Sequence, residues 1–91
     1  MGSKSLTLYG LPNQLDHCRL GVTASRKIGG AVRRNRVKRV LRQIFRANRE
    51  SLSPALDVVI NAHRSIHERT TVELEDEFLR CFRRLAARFE S

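Results

Sequence analysis

Apolar and polar residues alternate in two segments near the start of the chain. The first runs from Lys4 to Leu11, where leucines alternate with Thr7 and Tyr9, and the second runs from Arg19 to Ser25. A period of two is typical of a β-strand with one buried face. Pro12-Asn13 between the segments indicates a turn. The pattern therefore predicts two strands joined as an antiparallel hairpin.

The next segment has the period of an α-helix. Gly29-Gly30 ends the strand pattern, and the following apolar residues recur at spacings of three and four, so we predict a helix from Ala31 to Asn48. One side of this helix is expected to pack in the core, and the other to meet solvent or a ligand. The apolar side comprises Val37, Val40, Leu41, Ile44 and Phe45, and the opposite side comprises Asn35, Lys38, Arg39, Arg42, Arg46 and Arg49.

Two further elements complete the pattern. The β-branched run from Leu56 to Ala62 predicts an inner strand, and a helix between two strands suggests a crossover connection. A last helix should begin near Thr70, with Glu73 at capping-box spacing. We expect one α+β domain with a small sheet, two helices on one face and the order β-β-α-β-α. The apolar side of the last helix comprises Val72, Leu74, Phe78, Cys81, Phe82, Leu85 and Phe89.

Charge points to a polyanionic partner. The 91 residues include 18 Lys and Arg against 9 Asp and Glu, giving a net charge of +9, which favours nucleic acid over an acidic protein or a membrane. Ten of the basic residues lie between Arg26 and Arg49, a stretch without Asp or Glu. On a solvent-exposed helix face, arginines are normally interspersed with glutamates that pair with them. Like charges without such partners repel each other by ~0.2–0.5 kcal/mol per pair. A bound phosphate backbone would reverse that cost, so we predict that this helix binds RNA.

Several other features narrow the class of protein. The sequence has neither an apolar stretch of the roughly 20 residues that span a bilayer nor a signal peptide, which predicts a cytoplasmic protein. Without a secretory signal, Cys18 and Cys81 are interpreted as reduced thiols that pack as small hydrophobic residues. The opening Met1-Gly2-Ser3 is interpreted as the remnant of an expression tag and is left out of the fold prediction.

The loop before the basic helix is a candidate phosphate-binding loop, because unpaired amides at a helix start hold anions. It matches neither GxGxxG nor GxxxxGK, which disfavours a nucleotide-binding enzyme, and a simple glycine turn with solvated basic neighbours remains the alternative. His63 and His67 are interpreted as surface histidines, and we predict neither a metal site nor a catalytic residue. The candidate loop residues are Ser25, Arg26, Lys27, Gly29 and Gly30.

The segments LGVTASRKIGG and AVRRNRVKRVLRQIFR, from Leu20 to Arg46, resemble the signature of the bacterial ribonuclease P protein subunit. The resemblance extends more loosely to DVVINA and the last helix. It implies an α+β fold with a left-handed β-α-β crossover, a hand that general rules disfavour. It also implies a protein that is not itself catalytic and binds no cofactor alone. The catalyst is then an RNA subunit, which uses Mg²⁺ to cleave precursor tRNA at the mature 5′ end.

The resemblance also implies roles for individual residues. The family's basic motif lies against the catalytic RNA, and an open sheet face receives the single-stranded 5′ leader of precursor tRNA. Small residues on that face would let RNA approach, and Tyr9 offers a ring for base stacking, although it is also interpretable as an ordinary half-buried residue. The RNA-subunit set is Arg34, Asn35, Arg36, Lys38, Arg39, Arg42 and Arg46, and the leader set is Thr7, Tyr9, Gly21 and Thr23.

The chain departs from the family pattern at its start. The family's N-terminal basic helix and much of its first strand have no counterpart before Leu6, so we expect a truncated chain with half of the leader cleft missing. Sheet surface exposed in this way would favour a dimer or another partner. Two alternatives stay open: a free-standing ribosomal or DNA-binding module, and a phosphate-handling enzyme built on Gly29-Gly30.

Overall fold

The structure, a computed structural model, describes residues 2, 3 and 5–89, except for the side chain of His67. The predicted helix over Ala31–Asn48 and the predicted strand over Leu56–Ala62 are confirmed at both ends. Lys4, with which the first predicted strand began, lies outside the described residues. The elements are β1 (Leu6–Pro12), β2 (Arg19–Ala24), α1 (Ala31–Asn48), β3 (Leu56–Ala62) and α2 (Thr71–Ala87), with 3₁₀ turns at Arg26–Ile28, Arg49–Ser51 and Arg64–Glu68.

The three strands form a sheet in the order β1-β3-β2, so the predicted hairpin is wrong. β1 runs antiparallel to β3, and β2 runs parallel to β3 on its other side. The most apolar strand takes the centre, where both of its edges are hydrogen-bonded. The link between β1 and β2 crosses the end of β3. The side-chain amide of Asn13 holds it there, because it donates to Asp57 Oδ1 at 3.0 Å and to the His17 carbonyl at 3.1 Å.

The α1 helix is a crossover connection, as predicted, because it joins the parallel neighbours β2 and β3. The left hand of that crossover stays a prediction. Both helices pack on one face of the sheet, α1 mainly against β2 and α2 mainly against β1. That face supplies the fully buried Leu6, Leu8, Leu56, Val58, Ile60 and Ala62, and the helices cover it with Leu41, Ile44, Phe45, Leu74, Phe78, Phe82 and Leu85.

Two sequence interpretations change in detail. Val72, predicted to face the core, is 78% exposed, because it lies about 200° around the helix axis from buried Leu74. Gly2 and Ser3, left out as tag residues, join the fold through a bridge to Thr7 and a hydrogen bond from Ser3 N to the Leu6 carbonyl at 2.7 Å. Met1 lies outside the described residues.

Three other observations concern the thiols and the helices. Cys18 and Cys81 are both buried and free, in keeping with their interpretation as small core residues. Neither α1 nor α2 is long and apolar enough to cross a membrane, and no other helix in the described part of the chain is. The capping box of α2 is present: Thr70 Oγ1 accepts from Glu73 N at 3.2 Å, and Glu73 Oε1 accepts from Thr70 N at 2.9 Å.

Candidate nucleic-acid interface

The solvent side of α1 carries a straight row of polar residues, which we call the basic ridge. At about 100° per residue, its members fall on one line along the helix. All of them are exposed, and they border a shallow cavity of about 350 Å³ together with Gln43. The basic ridge comprises Asn35, Arg39, Arg42 and Arg46.

The other three predicted RNA-subunit residues lie beside the ridge. Arg34 and Arg36 are about 200° apart around the helix, so they occupy opposite flanks. Arg36 lines a groove on the side of α2 and is exposed. Arg34 and Lys38 are partly buried, and the Arg34 Nε atom is enclosed without an acceptor among the described residues. The predicted set is therefore assembled on one helix, but it wraps around more than half of its circumference.

The charges of α1 are not neutralised within the protein. In the described part of the chain, the Lys and Arg residues of this helix make no ion pair. Ion pairs between arginines and carboxylates lie on other elements, and they include Arg19–Asp57, Arg69–Glu73 and Arg80–Asp76. The ridge and its flanks thus present unpaired positive charge to solvent, which is what a phosphate backbone requires.

The predicted phosphate-binding loop lies at the N-terminal end of α1. The Ser25 hydroxyl accepts a hydrogen bond from Lys27 N at 3.2 Å, buried Ile28 anchors the turn, and Arg26 and Lys27 are exposed. Gly30 precedes α1 without a side-chain cap. The loop therefore adds two cations and uncapped amides next to the helix start, while the Ser25 oxygen is already engaged within the turn.

The face of the sheet opposite the helices is open, and all four predicted leader residues lie on it. The strand register arranges this face in three rows, with a β3 residue at the centre of each. Sequence reasoning missed the β3 residues because it placed β1 and β2 side by side, although the alternation in LDVVINA was the available signal. The rows are Thr7–Asn61–Thr23, Tyr9–Val59–Gly21 and Leu11–Asp57–Arg19.

The first row of the open face is polar and hydrogen-bonded. Thr7 Oγ1 lies 2.6 Å from Nε2 of His63, and Thr23 Oγ1 donates to Asn61 Oδ1 at 3.2 Å. His63 is thus bonded to the sheet, while the side chain of His67 lies outside the described residues. Among the residues that the structure describes, no group of three or more His, Cys, Asp or Glu is arranged to hold a metal ion.

The second row is apolar, and the third combines Leu11 with an ion pair. Tyr9 and Leu11 are 59% and 69% exposed, so both side chains are open to solvent. Arg19 donates to both oxygens of Asp57, at 2.7 and 2.6 Å, and these bonds, with that from Asn13, lower the pKa of Asp57 to about 2. Because the Asp57 carboxylate is paired with the Arg19 guanidinium, the open face is better suited to stacking and hydrogen bonding than to neutralising phosphates.

Comparison with known proteins agrees with this arrangement. The family model for ribonuclease P matches residues 1–86. The ribonuclease P protein component of Pelotomaculum thermopropionicum is 36% identical over 84 residues, covering 92% of this chain and 75% of that protein. The corresponding protein of Idiomarina loihiensis is 42% identical over 86 residues, covering 93% and 68%.

Solved structures show the same fold. The ribonuclease P protein of Thermotoga maritima, in complex with 1-(4-fluorophenyl)-2-thiourea, superposes with a TM-score of 0.84 at 27% identity, covering 92% of this chain and 82% of that one. The Staphylococcus aureus protein gives 0.78 at 28% identity, covering 91% and 76%. The resemblance and the α+β fold predicted from the sequence are thereby confirmed. The chain belongs to the ribonuclease P protein family, whose members are a subunit of the holoenzyme that processes the 5′ ends of tRNA.

Proposed function

We propose that this chain binds the catalytic RNA subunit of ribonuclease P and assists the Mg²⁺-dependent maturation of precursor tRNA in the cytoplasm. The observation that carries the proposal is the unpaired positive charge of the basic ridge and its flanks, displayed on a helix that lies within residues 1–86, the part of the chain that matches the family model. The RNA subunit and its Mg²⁺ ions perform the cleavage. The protein neutralises phosphates, so that folded RNA strands and substrate can lie close together.

Binding of this kind releases counterions and is therefore sensitive to salt. If the ridge, the flanks and the adjacent loop replace about six counterions, the logarithm of the association constant should fall against log[salt] with a slope near −0.9 × 6, or roughly −5. A filter-binding titration of the chain with ribonuclease P RNA at several salt concentrations measures this slope. A nearly flat response contradicts the proposal.

Single substitutions locate the contact. Arg36→Ala and Arg39→Ala should each weaken RNA binding and reduce the magnitude of the salt slope by about 1, because each removes one phosphate contact. Arg83→Ala is the matched control, since it removes the same charge from an exposed position on α2. All three variants should melt within a few degrees of the parent. Equal RNA affinity of parent, Arg36→Ala and Arg39→Ala rejects the assignment.

We further propose that the open sheet face receives the single-stranded 5′ leader. A Cβ at Gly21 would meet only Val59 Cγ2, at 3.8 Å, so the missing side chain leaves space for an RNA strand. Base stacking on Tyr9 contributes roughly 1–3 kcal/mol. Tyr9→Ala should therefore weaken holoenzyme binding to precursor tRNA with a leader by about tenfold, and leave binding of mature tRNA unchanged. An equal loss for both ligands excludes a leader contact.

One functional assay separates this proposal from its rivals. Adding the chain to ribonuclease P RNA at low Mg²⁺ should restore 5′ processing of precursor tRNA, because the protein replaces cations around the RNA. A free-standing nucleic-acid-binding module would bind the RNA without restoring cleavage. A phosphate-handling enzyme would hydrolyse its substrate without any RNA.

A further inference from the structure

A groove separates α1 from α2 next to one flank of the basic ridge. Its volume is about 380 Å³, within the range of pockets that hold small ligands. Its floor is apolar, formed by Ile28, Val37, Val40, Ile66 and Leu74. Thr71 and three arginines, Arg33, Arg36 and Arg69, line the rest of the groove.

The floor is the upper surface of the hydrophobic core. Ile28, Ile66 and Leu74 are 3%, 1% and 5% exposed, so the base of the groove is closed by packed side chains. Val37 and Val40 are partly buried against the same core. A flat apolar ligand placed here would contact a rigid surface and would displace water from aliphatic groups.

The arginines of the rim differ in their partners. Arg33 and Arg36 make no ion pair with any described residue, whereas Arg69 is held in place, with Nε donating to Ser5 Oγ at 3.1 Å and a guanidinium nitrogen 3.7 Å from a Glu73 oxygen. The stem of Arg33 packs over the preceding loop. A Cβ on Gly29 would lie 2.7 Å from Arg33 Cδ, so the glycine makes room for this side chain at the rim.

We propose that this groove receives one unpaired nucleotide of the ribonuclease P RNA, with its base on the apolar floor and its phosphate between Arg33 and Arg36. A base has an apolar face and each nucleotide carries one negative charge, which matches an apolar floor beneath two unpaired guanidinium groups. Arg36 flanks the basic ridge and also borders the groove, so RNA that lies along the ridge is within reach of it. The inference rests on the proposed binding of the RNA subunit.

Filling the groove tests the proposal. Thr71→Trp places an indole at the edge of the groove, and Val72→Trp places the same side chain at the next position, which is 78% exposed and does not line the groove. Thr71→Trp should weaken binding of ribonuclease P RNA by about tenfold and reduce the magnitude of the salt slope by about 1, because the phosphate of the displaced nucleotide leaves Arg33 and Arg36 while the contacts of the ridge remain. Val72→Trp should bind like the parent. Equal affinities of the two variants overturn the proposal.

Small probes test the groove without the RNA subunit. Titration of the isolated chain with adenosine 5′-monophosphate should shift the methyl NMR signals of Val40 and Leu74, and Thr71→Trp should suppress these shifts. Inorganic phosphate should leave the two methyl signals unchanged, because it has no base. Methyl signals that ignore the nucleotide, or that respond equally to phosphate, overturn the base-binding floor.

The combined results separate three cases. A parent chain that binds RNA with a steep salt slope, but whose Thr71→Trp variant binds equally well, keeps the proposed function and rejects the groove. Nucleotide shifts without an effect of Thr71→Trp on RNA affinity reject an RNA nucleotide as the occupant. A parent chain without affinity for ribonuclease P RNA rejects the proposed function itself.

Discussion

At the scale of single residues, Asp57 shows how the open face tolerates a carboxylate where RNA is proposed to lie. Bonds from Arg19 and from Asn13 lower its pKa from 3.8 to about 2. The unfolded chain, with the ordinary pKa, then binds this proton more readily than the folded chain does. The stabilisation by these bonds is therefore complete above about pH 4 and is lost as the pH falls towards 2.

The Asp57→Asn substitution should remove this acid dependence. We expect the parent to be more stable than the variant at pH 5–7, and the difference in the free energy of unfolding to shrink as the pH falls from about 4 to 2. Urea denaturation at a series of pH values measures the difference. Asp76→Asn, which removes the exposed ion pair with Arg80 on α2, serves as the control. A difference that does not change with pH contradicts the assignment of the shift to Asp57.

Gly29 is a second residue whose role is local. Its φ of +142° disfavours any residue with a Cβ, and the added Cβ would also press on the stem of Arg33. We expect Gly29→Ala to lower the free energy of unfolding by about 1–3 kcal/mol. Gly30→Ala is the matched control, because Gly30 has a φ of −71° and open space around it, and it should change stability by less than about 0.5 kcal/mol. Similar losses in thermal denaturation would argue against a conformational role for Gly29.

At the scale of elements, the sequence predicted where α1 and β3 begin and end better than it predicted which strands are neighbours. The bounds of α1 and β3 followed from a helical period and from a β-branched run between breakers, and both depend on nearby residues alone. The neighbour of β1 is decided by which strand is the most apolar along its whole length, since that strand takes the centre of the sheet. The turn at Pro12-Asn13 carries no information about this comparison. Thr7 and Thr23 were predicted to lie on the open face and do lie there, but Asn61 between them was missed for the same reason.

The capping box at the start of α2 can be tested by substitution. Thr70→Ala removes the side-chain acceptor for Glu73 N and should lower the free energy of unfolding by about 1 kcal/mol, because it leaves a helix-terminal amide without a partner. Thr71→Ala changes a neighbouring exposed threonine that does not cap the helix, and should be close to neutral. Chemical denaturation of both variants decides the matter. Equal stabilities of the two would show that the capping box contributes little.

At the scale of the whole molecule, the two helices differ in charge. The α1 helix has seven Lys and Arg and no acid, whereas α2 has four acids in its first half, at Glu73, Glu75, Asp76 and Glu77, and three arginines after them. Such a separation orients a protein in the field of a polyanion before contact is made. The chain should therefore approach RNA with α1 leading, and its association rate should fall as salt is added.

The open face bears on the association of whole molecules. Tyr9, Leu11 and Val59 are 59%, 69% and 41% exposed on one surface, and we propose that a second copy of the chain covers them when RNA is absent. Sedimentation should show a concentration-dependent dimer, and Leu11→Lys should raise its dissociation constant by about tenfold. Val72→Lys is the control, since Val72 is similarly exposed, at 78%, but lies on α2. Monomers at all concentrations, or equal effects of both substitutions, contradict a dimer through the sheet.

The opposite placement of Arg34 and Arg36 on α1 limits which nucleic acids can use the whole surface. A straight duplex touches a cylinder along one side and leaves one of these two arginines without a phosphate. Only a concave arrangement, in which two RNA backbones converge around the helix, engages both. The protein should therefore distinguish a folded junction from a simple double helix of any sequence, so that architecture, and not base sequence, selects the partner.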